Sequence, residues 1–258
     1  MKNALLIDLG GTNVRHAFFI NNALSKISKE KISDKEFIPF VTKLLNGAES
    51  KIEYLVIAAA GPNNQGFINL TNRNLLINSS ELETALNLKK CLLLNDWEAV
   101  AFSLSEMEKK SFLSIKGNVP SNKNTLLIGP GTGLGVTLII DDQIIPTEFG
   151  NVLSATKSMM ESFGIERSEK FLSLENILSG PGIEMLYEEK FGKKLSSEKI
   201  ITLALERNED ALFIVNNFLK TLITIIDDLV LSFTCKRVIL GGAILNSLKS
   251  ILTSEKIL

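Results

Sequence analysis

Two short glycine-rich stretches carry the residue types that hold phosphate. The first, Asp8-Leu9-Gly10-Gly11-Thr12-Asn13, follows an apolar run almost at the start of the chain. The second, Gly129-Pro130-Gly131-Thr132-Gly133-Leu134-Gly135, follows another apolar run at mid-chain. Glycine accepts unusual backbone angles and leaves N–H groups uncovered, and such groups bind phosphate oxygens. Each stretch adds a threonine hydroxyl. Alone, either one is equally well a plain hairpin turn; two of them in matched contexts point to a ligand. Neither is a P-loop or a dinucleotide fingerprint, because G-x-x-x-x-G-K-[ST] does not occur and GPGTGLG departs from G-x-G-x-x-G. A third pair, Gly241-Gly242, follows a further apolar run and leads towards a helix.

Four acids stand where they could act on such a ligand. Asp8 precedes the first turn, and a carboxylate beside phosphates implies an intervening cation, Mg²⁺ held through water; the alternative is a turn cap. Asp96, in LLLNDWEAVA, lies where a buried strand gives way to a helix. A general base there would accept the proton of a hydroxyl attacking a phosphoryl group. An N-cap Asp would occupy the same position, and the two readings stay open. Glu148 in PTEFGN and Glu175 in LENILSGPG could together accept hydrogen bonds from vicinal sugar hydroxyls, though each alone is an ordinary solvated acid. His16, the single histidine, reads as a packed or surface residue.

The elements that must position these groups are short apolar runs over residues 4–7, 15–20, 54–58, 92–94, 125–128, 136–140 and 238–240. Helical patterns over 34–45, 79–86, 98–105, 173–191 and 210–233 lie between some of them. This alternation predicts an α/β fold with partly parallel sheets. The stretch 109–124, rich in Lys, Ser and Asn, reads as a connector. Run, glycine turn, run occurs at both 4–20 and 125–140, an internal echo that predicts two similar halves.

Composition narrows the classes. A length of 258 residues suffices for two modest domains. A formal charge of −1 argues against a nucleic-acid partner. The two cysteines, Cys91 and Cys235, sit in apolar contexts without metal-ligand spacing, so a reducing, cytoplasmic setting is expected. Asp8 interrupts the first apolar run before a signal peptide could form. Polar residues within 212–233 make that segment a core helix or a dimer contact rather than a membrane span.

The motifs DLGGTNVR, AAAGP, TNRNL, LLNDWEAVA, GPGTGLGV, LENILSGPG and LGGAI occur in this order between Leu5 and about Ile244, and in that order the chain resembles the bacterial glucokinases of the actin-like sugar kinase superfamily. The resemblance implies two ribonuclease H-like α/β domains flanking a cleft, a small one over 1–108 and a large one over 109–258, and ATP- and Mg²⁺-dependent phosphorylation of glucose at its 6-hydroxyl. By position, Asp96 matches the family's base, Asn95 a sugar contact, and Glu148 and Glu175 its sugar-binding acids. Asp8, Gly10, Gly11, Thr12 and Asn13 match one phosphate turn, Gly131, Thr132 and Gly133 the other, and Gly241-Gly242 the turn near adenosine. Where the family has E-G-G-H, this chain has Glu148-Phe149-Gly150-Asn151. Asn151 stays uncharged at any pH, which bears on hexose preference, and Phe149 adds bulk where backbone is expected near ligand. The sequence stops soon after LGGAI, a shortening relative to the family that leaves a non-catalytic sugar- or nucleotide-binding sensor, or a kinase for another hexose, as alternatives.

Overall fold

The structure, a computed structural model, describes residues 3–10, 13–70, 74–117, 124–153, 156–166 and 169–253. The chain divides into two compact units, Met1–Ser103 and Leu104–Leu258.

The first unit runs β1 (Ala4–Leu9), β2 (Val14–Ile20), β3 (Ala23–Leu24), β4 (Ser28–Glu30), α1 (Phe37–Asn46), β5 (Tyr54–Ala59), β6 (Asn63–Asn64), β7 (Phe67–Asn69), β8 (Leu76–Asn78), α2 (Ser79–Ala85), β9 (Lys90–Asn95) and α3 (Asp96–Ser103). Its main sheet has the order β3-β2-β1-β5-β9, with β4 also on β2. β1 and β2 are antiparallel, whereas β1, β5 and β9 run parallel. Alternate β1 residues Leu5, Ile7 and Leu9 are buried in a core with Phe37, Val41 and Ile57, as a period of two requires of a strand with one covered face. β6, β7 and β8 form a separate small antiparallel sheet.

The second unit runs β10 (Thr125–Pro130), β11 (Leu134–Ile140), β12 (Gln143–Pro146), α4 (Thr156–Ser162), α5 (Gly180–Phe191), α6 (Ser197–Leu205), α7 (Glu209–Ser232), β13 (Arg237–Leu240), α8 (Ala243–Ser247) and α9 (Lys249–Leu252). Its sheet has the order β12-β11-β10-β13, β10 being antiparallel to β11 and parallel to β13. β10 is buried along its whole length, the mark of a strand covered on both faces. α7 contributes Ile214, Phe218, Leu222 and Ile225 to the core. Residues 212–233 thus serve mainly as packing, and no helix among the described residues is long and apolar enough to cross a membrane.

The internal echo is borne out strand by strand. β2-β1-β5 and β11-β10-β13 are the same arrangement, a glycine-turn hairpin with a parallel neighbour. It extends to one further strand in each half, for which the sequence pattern gives no sign. Ile20 pairs with Ala23 across Asn21-Asn22, and Ile140 with Gln143 across Asp141-Asp142. All four turn residues have positive φ, as a two-residue hairpin with right-handed twist demands. The helix expected over 173–191 is instead a 3-10 turn at Leu174–Asn176 followed by α5. Ser179 interrupts it in extended conformation, its hydroxyl accepting from Gly182 N–H at 3.0 Å to cap α5.

Candidate active site

β1 delivers Asp8 to the carboxyl end of the parallel strands. Asp8 pairs across the hairpin with Arg15, whose guanidinium donates to Asp8 Oδ2 at 2.7 Å. Both side chains are about half exposed. Gly10 N–H donates to Asn13 O at 3.0 Å, closing the turn. Gly11 and Thr12 lie outside the described residues. Among the described residues, no three His, Cys, Asp or Glu side chains are grouped to hold a metal ion. Mg²⁺ that arrives with phosphates needs only one or two carboxylates from the protein. Asp8 fits that limited role, although here its charge is met by Arg15 rather than held for a cation.

Two strands away, β9 ends in Asn95-Asp96. The register aligns Leu9, Ala59 and Asn95 in one row across the sheet, and Asn95 is correspondingly buried at 6% exposure. Its side chain does structural work: Oδ1 accepts from Trp97 N–H at 2.9 Å and Glu98 N–H at 3.4 Å, and Nδ2 donates to Gly61 O at 3.2 Å. Glu98 answers by accepting from Asn95 N–H at 3.0 Å. This reciprocal pair is a capping box, so the residue that caps α3 from outside is Asn95. Asp96 becomes the first residue of the helix. Its carboxyl is half-buried, accepts from Trp97 N–H at 2.9 Å, and is held above the usual carboxylate range, first by burial and further by the charge of Asp8.

The second unit gathers its candidates around the turn between β10 and β11. Gly131 N–H donates to Gly133 O, and Gly131 O accepts from Gly180 N–H, each at 2.8 Å. The turn is therefore tied to the start of α5. Thr132 is exposed. Gly241 N–H donates to Ile128 O at 3.0 Å, and Gly242, at φ +93°, passes so close that a Cβ would lie 2.6 Å from Pro130 O. This glycine pair thus abuts the residue that opens the second turn. Glu148 precedes a 3-10 turn, Phe149–Asn151, and its Oε2 accepts from Asn151 Nδ2 at 3.1 Å. Glu148 and Asn151 are exposed, and Glu175 is half-buried in the 3-10 turn that precedes α5. The bulk of Phe149 packs onto the core of this unit. The close backbone approach belongs to Gly150, where a Cβ would lie 2.5 Å from Leu134 O.

His16 is packed, as one of the two readings had it, at 7% exposure with its ring edge-on to Phe40 at 5.5 Å. Three further residues contribute to the site. Arg15 follows the first turn with no signal beyond its charge. Gly61, at φ +147°, offers the carbonyl that Asn95 uses. Glu98 did have a signal, the N-x-x-E spacing of a capping box.

A sequence model of the family described as Glucokinase matches residues 5–258. Glucokinase of Pseudomonas paraeruginosa is 28% identical over 208 residues, 72% of this chain and 58% of that protein. Glucokinase of Helicobacter pylori is 29% identical over 215 residues, 78% of this chain and 64% of that protein. The chain therefore spans less than two thirds of the length of either relative. In fold it is similar to the crystal structure of a glucokinase from an Antarctic psychrotroph, with a TM-score of 0.75 at 24% identity, covering 98% of this chain and 86% of that one.

Proposed function

The chain belongs to the glucokinase family, and from that membership we propose that it transfers the terminal phosphoryl group of ATP to a hexose, glucose at its 6-hydroxyl. Each unit then serves as one ribonuclease H-like half. Backbone N–H groups of the turns at Gly10–Asn13 and Gly131–Gly133 take phosphate oxygens, and Gly241-Gly242 lies beside the adenosine. Mg²⁺, when bound near Asp8, supplies positive charge against the triphosphate. Glu148, Asn151 and Glu175 hold sugar hydroxyls, while Asn95, its side chain committed to capping α3 and to Gly61 O, fixes where Asp96 stands. Asp96 accepts the hydroxyl proton as the oxygen attacks the phosphorus and ADP departs with the bridging oxygen.

The observation that carries this reading is the state of Asp96. Asn95 has taken over the capping, so the Asp96 carboxylate is left at the carboxyl edge of a parallel sheet, where ligands of such sheets gather. Burial and Asp8 raise its proton affinity, which suits a base near its working pH. Two buried, unpaired cysteines support a cytoplasmic setting.

The test is ADP release by the purified chain with Mg-ATP and a panel of hexoses. Asp96→Ala is expected to lower kcat roughly 10²- to 10⁴-fold, the usual worth of a general base. Asn151, which cannot become cationic, favours a hexose preference different from that of relatives with histidine there, and the panel reads it directly. Hexose binding with no turnover would overturn the kinase and leave a sugar sensor.

A further inference from the structure

The two outer glycines of the turn after β10 differ in what surrounds them. Among the described residues, a Cβ built on Gly131 meets nothing within 4 Å. A Cβ built on Gly133 would lie 2.6 Å from Glu175 Oε2 and 3.7 Å from Glu175 Cδ, with no other described residue that close. At Gly150, Gly182 and Gly242 the obstacle is backbone, at 2.5 to 2.6 Å. There a side chain would force the fold itself to move. At Gly133 only the end of one flexible side chain would move. Gly133 also has no positive φ, so its backbone accepts alanine. The Glu175 carboxylate makes no hydrogen bond or ion pair among the described residues. A half-buried carboxylate at the end of a flexible side chain, set against a bare Cα, can turn to a ligand from outside.

We infer that Gly133 is the seat of the Glu175 carboxylate, so that one turn serves two ligands. Its first glycine keeps space open for the nucleotide, and its third fixes the acid that grips the sugar. This rests on the proposed kinase reading, in which Glu175 accepts hydrogen bonds from hexose hydroxyls. Gly133 is then a positioning residue for sugar affinity, although it lies in a phosphate turn. The same contact couples the two ligands: a shift of the turn on binding nucleotide moves the floor beneath Glu175.

The experiment compares Gly131→Ala and Gly133→Ala in the full chain, with KM for hexose and for Mg-ATP from ADP release and hexose affinity by calorimetry without nucleotide. Gly133→Ala is expected to keep the wild-type melting temperature and to raise the hexose KM and Kd roughly tenfold or more, the effect of losing a hydrogen bond to a charged group, and by a larger factor than it raises the KM for Mg-ATP, since alanine keeps the N–H that the phosphate turn uses. Gly131→Ala is expected to do the reverse. Combining Gly133→Ala with Glu175→Gln should add little to Glu175→Gln alone, because both remove the same interaction. The inference is overturned by a Gly133→Ala chain that loses ATP affinity and keeps its hexose. A large drop in melting temperature, or additivity with Glu175→Gln, overturns it equally. A wild-type chain that neither binds nor turns over any hexose overturns the kinase reading and this inference together, whereas an active wild type with the wrong Gly133→Ala pattern overturns this inference alone.

Discussion

Burial raises the Asp96 carboxyl above its ordinary value of 3.8, and the charge of Asp8 raises it further, so ionising this residue opposes folding. A carboxylate with a raised folded pKa imposes no penalty below its unfolded pKa. The full penalty is present once pH exceeds the folded value. Asp96→Asn should therefore melt at a higher temperature than the wild type at neutral pH, and the difference should vanish as pH falls through the carboxylate range. Thermal unfolding at several pH values checks this, and a variant less stable than wild type at neutral pH would contradict it. The same variant should lose phosphoryl transfer, because an amide cannot accept the proton. Stability traded for a poised group is a common signature of functional residues.

At the scale of elements, α3 is held in place by the box between Asn95 and Glu98 and by the bond from Asn95 to Gly61 O. Glu98→Ala removes one half of the box and should cost about 0.5–2 kcal/mol of stability in urea denaturation. It should lower kcat more than it changes hexose KM, because Asp96 follows Asn95 directly. Glu98→Gln keeps an acceptor and should restore much of both. Which of Asn95 and Asp96 would cap could not be read from the sequence, since both are good caps. The carbonyl of Gly61, 34 positions away, tips the balance. Long-buried strands such as β10 were legible because an unbroken apolar run has few other readings. The sheet of β6, β7 and β8 was not, because strands of two or three residues leave no period to detect. The break between Leu174–Asn176 and α5 was hidden as well. Apolar spacing continues across it, and the interruption is made by the caps at Ser173 and Ser179. The turns at Asn21-Asn22 and Asp141-Asp142 lack the glycine that usually marks such hairpins.

At the scale of the molecule, each unit has its own core, and among the described residues the two cores share none. The single tryptophan, Trp97, belongs to the first unit. Truncating Phe218, fully buried in the second core, should cost that unit about 3–5 kcal/mol. The loss should appear as a lower urea midpoint by circular dichroism, with the Trp97 emission midpoint unmoved; equal shifts in both signals would mean one cooperative core. The glycine turns, the acids and the α/β alternation were legible from residue types alone, while the pairing of Asp8 with Arg15 needed the hairpin register. The two thiols add a property of a different kind. Cys91 lies in one unit and Cys235 in the other, both buried, the first pushed up to about 12 chiefly by burial and the second raised for the same reason. Neither is a nucleophile while its surroundings stay closed. Alkylation or oxidation at either position therefore dates an opening event in that half of the chain, and an aged sample carries a separate chemical record of how often each half has come apart.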